Sequence, residues 1–293
     1  MPWLQLSLQI DSTSARKAAD EMEAAGAASV TLEDAEDSPL LEPAPGETPL
    51  WPTVVVTGLF DSETLQDLPK LQESAVWKSR RGFHLNRVPD RVWEREWLKH
   101  FQPRRFGRHL WVCPTGLTPE DDGAAVILTL DPGLAFGTGT HGTTALCLRW
   151  LDAHPPENLR VVDFGCGSGI LAIAAALLGA RLVHARDIDP QALEATGKNA
   201  LRNEVAGRIH TAPADGEIPE CDLLISNILA GTLIDLAPDF ARALQAGAQV
   251  VLSGILADQA AVVIEAYSPW FGLQQLAEQD GWILLAGHRQ ETD

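Results

Sequence analysis

The sequence predicts an α/β protein, with a small α+β domain followed by a larger, doubly wound and mostly parallel sheet. Three observations lead there. Strand-like alternation and helical spacing take turns over residues 1–88; continuous apolar runs alternate with helical patterns from residue 120 onward; and glycine clusters fall where a strand gives way to a helix. A chain of 293 residues with 45% hydrophobic content can bury two cores of ordinary size.

Taken in order, "WLQLSLQI" alternates as a strand does, and "SARKAADEMEAAGA" has helical spacing with Ser or Thr available as a cap. "SVTLED" returns to strand character. "DSPLLEPAPGETPLW" is too rich in Pro, Gly and acid for regular structure and reads as a long loop. "TVVVTGLF" is a strand, "DSETLQDLPKLQ" a capped helix and "RGFHLNRV" a further strand, which suits a ferredoxin-like α+β domain over residues 1–88. In "PDRVWEREWLKHF", Trp93, Trp97 and Phe101 recur every four residues with charges between them, the mark of an amphipathic helix. It is expected to lie in a linker over 89–105, ahead of a second domain over 106–293.

The second domain begins with "AAVILTLD" as a strand and "GTTALCLRWLDAH" as a helix. The series continues with "LRVVDFG" strand, "SGILAIAAALLG" helix, "ARLVHARDID" strand, "PQALEATGKNALRN" helix, then "GRIHTAPAD" and "CDLLISNIL". "GTLIDLAPDFARAL", "AQVVLSGIL", "DQAAVVIEAY", "FGLQQLAEQD" and "GWILLAGHR" complete it. Apolar strands separated by helices indicate a parallel sheet buried on both faces, and ligands of such sheets bind at the carboxyl ends of the strands.

Charge limits the function classes. The net charge of −18 disfavours general affinity for nucleic acid and favours a basic partner. It is unevenly spread: residues 1–77 carry 3 basic and 14 acidic residues, 78–108 carry 10 and 3, and 109–293 carry 9 and 23. Cys113, Cys147, Cys166 and Cys221 are far apart, with no CxxC pair and no histidine at metal spacing, so reduced thiols and no metal are expected. The first residues lack the charge pattern of an export signal and the longest apolar run is about half a membrane span. A cytoplasmic protein that does not engage membranes is therefore expected. No heptad pattern demands a dimer, and a monomer is the expectation.

In "DFGCGSGI", Gly165, Gly167 and Gly169 follow a strand and open a helix, with Asp163 two residues ahead. Glycines there either let a ligand lie against the backbone or form a tight structural turn. The next strand ends in Asp187, whose carboxylate can accept bonds from both hydroxyls of a ribose, whereas Asp189, followed by proline, reads as a helix cap. The strand "LLISN" ends in Asn227, which either receives an amine or caps the helix after it. Ahead of all these, "DPGLAFGTGTHGTT" is a second glycine-rich stretch, which raises the question of a ligand that backbone approaches from two sides.

These motifs, with "SVTLEDAED", "PGETPLW", "WEREW", "LWVCP", "DIDPQA", "NILA" and "LSGIL", cover nearly the whole chain and resemble the ribosomal protein L11 methyltransferase family. The resemblance implies a seven-stranded Rossmann-like methyltransferase sheet, S-adenosyl-L-methionine as cofactor, and methylation of lysine side chains and the amino terminus of ribosomal protein L11, up to trimethylation. The substrate is expected free or on the large subunit, with room for incidental ribosomal RNA contact. Carried over by motif, Thr144, Gly165, Gly167, Asp187 and Asn227 contact the cofactor, with Phe136, Gly137, Thr140 and His141 as further contacts from the covering loop. Asn227 and the backbone carbonyl of Ile228 are expected to orient the amine. Two departures stand out: Gly142 replaces the family's usual proline, and Arg186 stands where a small or apolar residue is common. The alternative within the fold is methylation of RNA or a translation factor; the related amide and base methylases show Asn-Pro-Pro-Tyr where this chain has "NILA".

Overall fold

The computed structural model describes residues 3–36, 50–61, 71, 73–88, 102–119, 123–130 and 141–291. The loop over 37–49, most of the helix expected over 61–72, the linker helix over 89–101, and Phe136, Gly137 and Thr140 lie outside the described residues. The chain divides into two compact units, Met1–Glu96 and Trp97–Asp293.

The amino-terminal unit holds strands β1 (Trp3–Asp11), β2 (Ser29–Asp34), β3 (Thr53–Asp61) and β4 (Gly82–Val88), in the sheet order β2-β3-β1-β4 with every pair antiparallel. That order matches the expected ferredoxin-like arrangement. Alternate residues Leu6, Leu8 and Ile10 of β1 and Val54, Val56 and Phe60 of β3 are fully buried. They meet Ala15, Ala18 and Met22 from one stripe of the helix Ser12–Ala24. The cap of that helix is Asp11, whose carboxylate accepts from the Ser14 amide at 3.2 Å, and not a Ser or Thr as expected. The short helix Ala75–Lys78 sets Trp77 in the same core.

In the second unit, β5 (Arg104–Phe106), β6 (Leu110–Cys113) and β7 (Val126–Thr129) form a sheet of their own. This corrects two expectations. β5 starts inside the stretch assigned to the linker, and "AAVILTLD" supplies β7 to a three-stranded sheet separate from the main series. β7 has no place beside β8 (Arg160–Phe164), whose two edges are taken by β9 (Leu182–Asp187) and β11 (Cys221–Asn227).

The main sheet adds β10 (Ile209–Pro213), β12 (Leu244–Leu256), β13 (Gln274–Gln279) and β14 (Trp282–His288), in the order β10-β9-β8-β11-β12-β14-β13. The first five are mutually parallel, and β14 is antiparallel to both of its neighbours. Asp280 and Gly281, at φ of 53° and 78°, make the two-residue turn that joins β13 to β14. Successive strand residues face opposite layers: Val161 packs with the helices Gly142–Ala153 and Ile170–Leu177, Val162 with Ala230–Ala243 and Ala260–Tyr267. Among the described residues no helix is long and apolar enough to cross a membrane.

Candidate active site

Strand order reverses between β8 and β11, and a cleft of about 340 Å³ opens there at the carboxyl ends of the strands. Gly165 and Gly167 line it from the turn after β8, Asp187 and Ile188 from the end of β9, and Ala214 from the end of β10. Asn227, Ile228 and Leu229 line it beyond β11, and Thr144 from the helix Gly142–Ala153. Five predicted cofactor residues thus converge on one space.

The glycine turn is built so that side chains are excluded. Gly165, Gly167 and Gly169 have φ of 81°, 53° and 80°. A Cβ on Gly165 would lie 2.2 Å from the Ile228 Cγ2, and one on Gly169 would lie 2.7 Å from Thr196. The amides of Gly165 and Cys166 donate to the Arg186 carbonyl at 2.8 and 3.0 Å, which hangs the turn on the tip of β9. From below, Thr196 Oγ1 donates to the Gly167 carbonyl at 3.1 Å, and Asn199 Nδ2 to the Ser168 carbonyl at 2.9 Å. Sequence reasoning missed these two props; their signal is a polar pair three residues apart on the helix Pro190–Arg202, both buried.

Gly169 is the cap of the helix Ile170–Leu177 and has no side chain to offer it. Asp163 does the capping from β8, accepting from the Ala172 amide at 2.9 Å. Burial pushes the Asp163 carboxyl up to about 7; the Ala172 amide opposes that rise, and the Asp187 charge adds to it.

Asp187 accepts from the Gly167 amide through Oδ2 and from the Asp189 amide through Oδ1, each at 2.9 Å. Each oxygen keeps a further lone pair able to accept a bond. Asp189 caps the next helix by accepting from the Gln191 amide at 2.8 Å, as the sequence implied. Asn227 caps nothing: Leu229 holds the cap position of the helix Ala230–Ala243 without a side-chain bond. Instead Asn227 Nδ2 donates to Thr144 Oγ1 at 3.2 Å, tying the end of β11 to the start of the helix Gly142–Ala153.

His141 is not brought to the cleft lining among the described residues. Its ring packs edge-on against Trp282 with centroids 5.1 Å apart, and its Nδ1 bonds Thr143 Oγ1 at 2.8 Å. Arg186, the other departure, donates from its guanidinium to the carbonyls of Pro213 and Glu217. It thereby holds the segment after β10 that carries Ala214. Phe164, Cys166, Ile170, Leu171, Ile188, Ala214, Leu229 and Thr232 also line the cleft and were not foreseen. Ile188 and Ala214 follow from the rule that marked Asp187, since both lie at or just past strand tips.

Residues 2–290 match the family model for ribosomal protein L11 methyltransferase (PrmA). The chain belongs to this family. The ribosomal protein L11 methyltransferase of Methylococcus capsulatus is 48% identical over 294 residues, which span 98% of this chain and 99% of that protein. That of Pseudomonas aeruginosa (strain LESB58) is 48% identical over 295 residues, or 99% of each chain. The crystal structure of a ribosomal protein L11 methylase from Lactobacillus delbrueckii subsp. bulgaricus is 34% identical; the match covers 65% of this chain and all of that one, with a TM-score of 0.57. The cleft fits the family's S-adenosyl-L-methionine in two respects. Gly165 and Gly167 line it with backbone alone, and among the described residues its only lining carboxylate is that of Asp187, at a strand tip of the kind that holds a ribose in nucleotide-binding sheets.

Proposed function

We propose that the chain transfers methyl groups from S-adenosyl-L-methionine to lysine side chains and the terminal amine of ribosomal protein L11, adding up to three to each. The observation that carries this reading is the convergence of Thr144, Gly165, Gly167, Asp187 and Asn227 on one cleft.

S-adenosyl-L-methionine, when bound, supplies an electrophilic methyl group on a sulfonium. Asp187 would hold its ribose hydroxyls, and the turn Gly165–Gly167 would lie beneath its methionine end, with no side chain on Gly165 or Gly167. The amine must arrive neutral, because an ammonium has no lone pair and a free lysine titrates near pH ~10.4. Phe164, Ile170, Leu171, Ile188 and Leu229 make the cleft largely apolar, and an apolar wall favours the uncharged amine. Asn227 has its amide nitrogen committed to Thr144, so its Oδ1 is the atom left to accept from the amine. The Ile228 carbonyl is the second acceptor, and the proton leaves to water. Positioning of this kind accounts for much of the rate.

Residues 1–88 serve as the recognition module in this reading. Their acidic balance and that of residues 109–293 favour a basic protein substrate. RNA remains the weaker substrate because Asn-Ile-Leu-Ala, and not Asn-Pro-Pro-Tyr, begins at the last residue of β11 and the chain carries −18. Replacing Asn227 with alanine tests the assignment. Turnover at saturating cofactor and L11 is expected to fall by about tenfold to a hundredfold, while calorimetric affinity for S-adenosylhomocysteine holds. Normal turnover would remove Asn227 from the mechanism.

A further inference from the structure

The "LSGIL" stretch, at the end of β12, is a family motif that does not line the cofactor cleft. On its β11 side β12 runs in register as far as Asn227 opposite Ser253. Toward β14 the register slips: Leu252 faces Leu285, whereas Ile255 faces Ile283. Ser253 and Gly254 therefore share one place opposite Leu284, which is a β-bulge with glycine at φ 83°. The buried Ser253 hydroxyl pins it by donating to the Ile283 carbonyl at 2.9 Å.

What the bulge faces gives it a purpose. A Cβ on Gly254 would lie 2.2 Å from the Ile228 carbonyl oxygen, 2.8 Å from the carbonyl carbon and 3.0 Å from the amide nitrogen. All three are backbone atoms, which cannot swing aside as the end of a side chain can. On its other flank Ile228 reaches the glycine turn, with Cγ2 2.2 Å from where a Gly165 Cβ would be. One residue thus fills two spaces that side chains would otherwise take, its methyl at Gly165 and its carbonyl at Gly254.

We infer that Gly254 is a positioning residue for methyl transfer, setting the Ile228 carbonyl against the incoming amine by giving the acceptor turn Asn227–Leu229 its seat. This rests on the reading that the turn receives the amine. A methyl group at 254 must push the Ile228 backbone off the bulge, and Gly165 limits where it can go. The carbonyl then moves relative to the bound amine, while the turn Gly165–Gly167 and Asp187, hung on β8 and β9, stay in place.

The test measures Gly254→Ala and Ser253→Ala in the full chain, with L11 and S-adenosylmethionine for turnover and S-adenosylhomocysteine for calorimetry. Gly254→Ala is expected to lower kcat about tenfold or more, with KM for L11 and affinity for S-adenosylhomocysteine nearly unchanged and fewer fully trimethylated products. Ser253→Ala, which adds no atom and frees the bulge, is expected to lower kcat by a smaller factor. An unchanged kcat in Gly254→Ala, or a fall matched by lost cofactor affinity, overturns the inference. If Gly254→Ala does not fold, Ser253→Ala decides: a lower kcat with intact cofactor affinity supports it, and wild-type kcat overturns it. A failure confined to Gly254 leaves Asn227→Ala defective; normal turnover in Asn227→Ala means that the underlying reading has failed.

Discussion

Asp163 has one oxygen bonded to the Ala172 amide, while its Oδ1 is buried without a hydrogen-bond partner among the described residues. A carboxyl so placed is held neutral over a range in which a solvated one is ionised. Its folded value, about 7, stands above the ordinary 3.8, so the folded state binds the extra proton between them. Stability therefore falls as pH rises from about 3.8 to about 7 and levels off above. Asp163→Asn keeps an acceptor for Ala172 and does not titrate. Thermal melts across that range are expected to show the variant gaining on the wild type as pH rises; parallel curves would refute this origin of the cost. The motif was legible at this scale, and its reasons were not. Spacing marked Asp163, Gly165, Gly167 and Gly169, but that Asp163 caps a helix whose own cap is glycine depends on how β8 and the helix meet.

Asp152 shows how elements are fastened. Near the end of the helix Gly142–Ala153, its carboxylate accepts from the amides of Arg108, His109 and Leu110, which form the β5–β6 turn. Gly107, at φ 80°, has no room for a side chain there, because its Cβ would lie 2.2 Å from Asp152 Oδ2. Burial raises the Asp152 carboxyl, but the three amides and His109 outweigh it and hold it below the ordinary value. This stability is present above the unfolded carboxyl pKa and is lost as acid takes the pH down through the folded one. Asp152→Ala strands three amides and is expected to cost about 3 kcal/mol or more in denaturant titration; a loss within experimental error would show that water replaces the carboxylate. The helix that Asp152 anchors also carries Thr144, so cofactor affinity should weaken with it. Long apolar strands such as β8, β11 and β12 were legible because burial on both faces leaves an unbroken apolar run. β5, β6 and the helix Ala75–Lys78 are three or four residues each, too short for any period to register.

At the scale of the molecule, two cores form from different parts of the chain, one within the first 96 residues and one in two layers about the main sheet. Separate cores allow recognition and chemistry to be divided, and along the sequence acidic stretches precede and follow the basic segment at 78–108. If attraction of a basic substrate matters, methylation of L11 slows as salt shortens the screening length to about 8 Å near 0.15 M, while affinity for S-adenosylhomocysteine stays level. Equal salt dependence of both would place the effect in the cleft. The four-stranded and seven-stranded sheets were legible from pattern; the small sheet of β5, β6 and β7 and the strand order of the main one were not, since crossovers leave no trace in a linear pattern.

In the proposed reaction the cleft between β8 and β11 delivers methyl groups to amines of L11. Its most direct test is intact-mass and peptide mass spectrometry of purified L11 after incubation with the chain and S-adenosylmethionine, beside a sample whose amines have been acetylated. Stepwise single-methyl gains are expected on lysines and the amino terminus of the unmodified protein only. Gains on the acetylated sample, or none on either while S-adenosylhomocysteine binds, would contradict it.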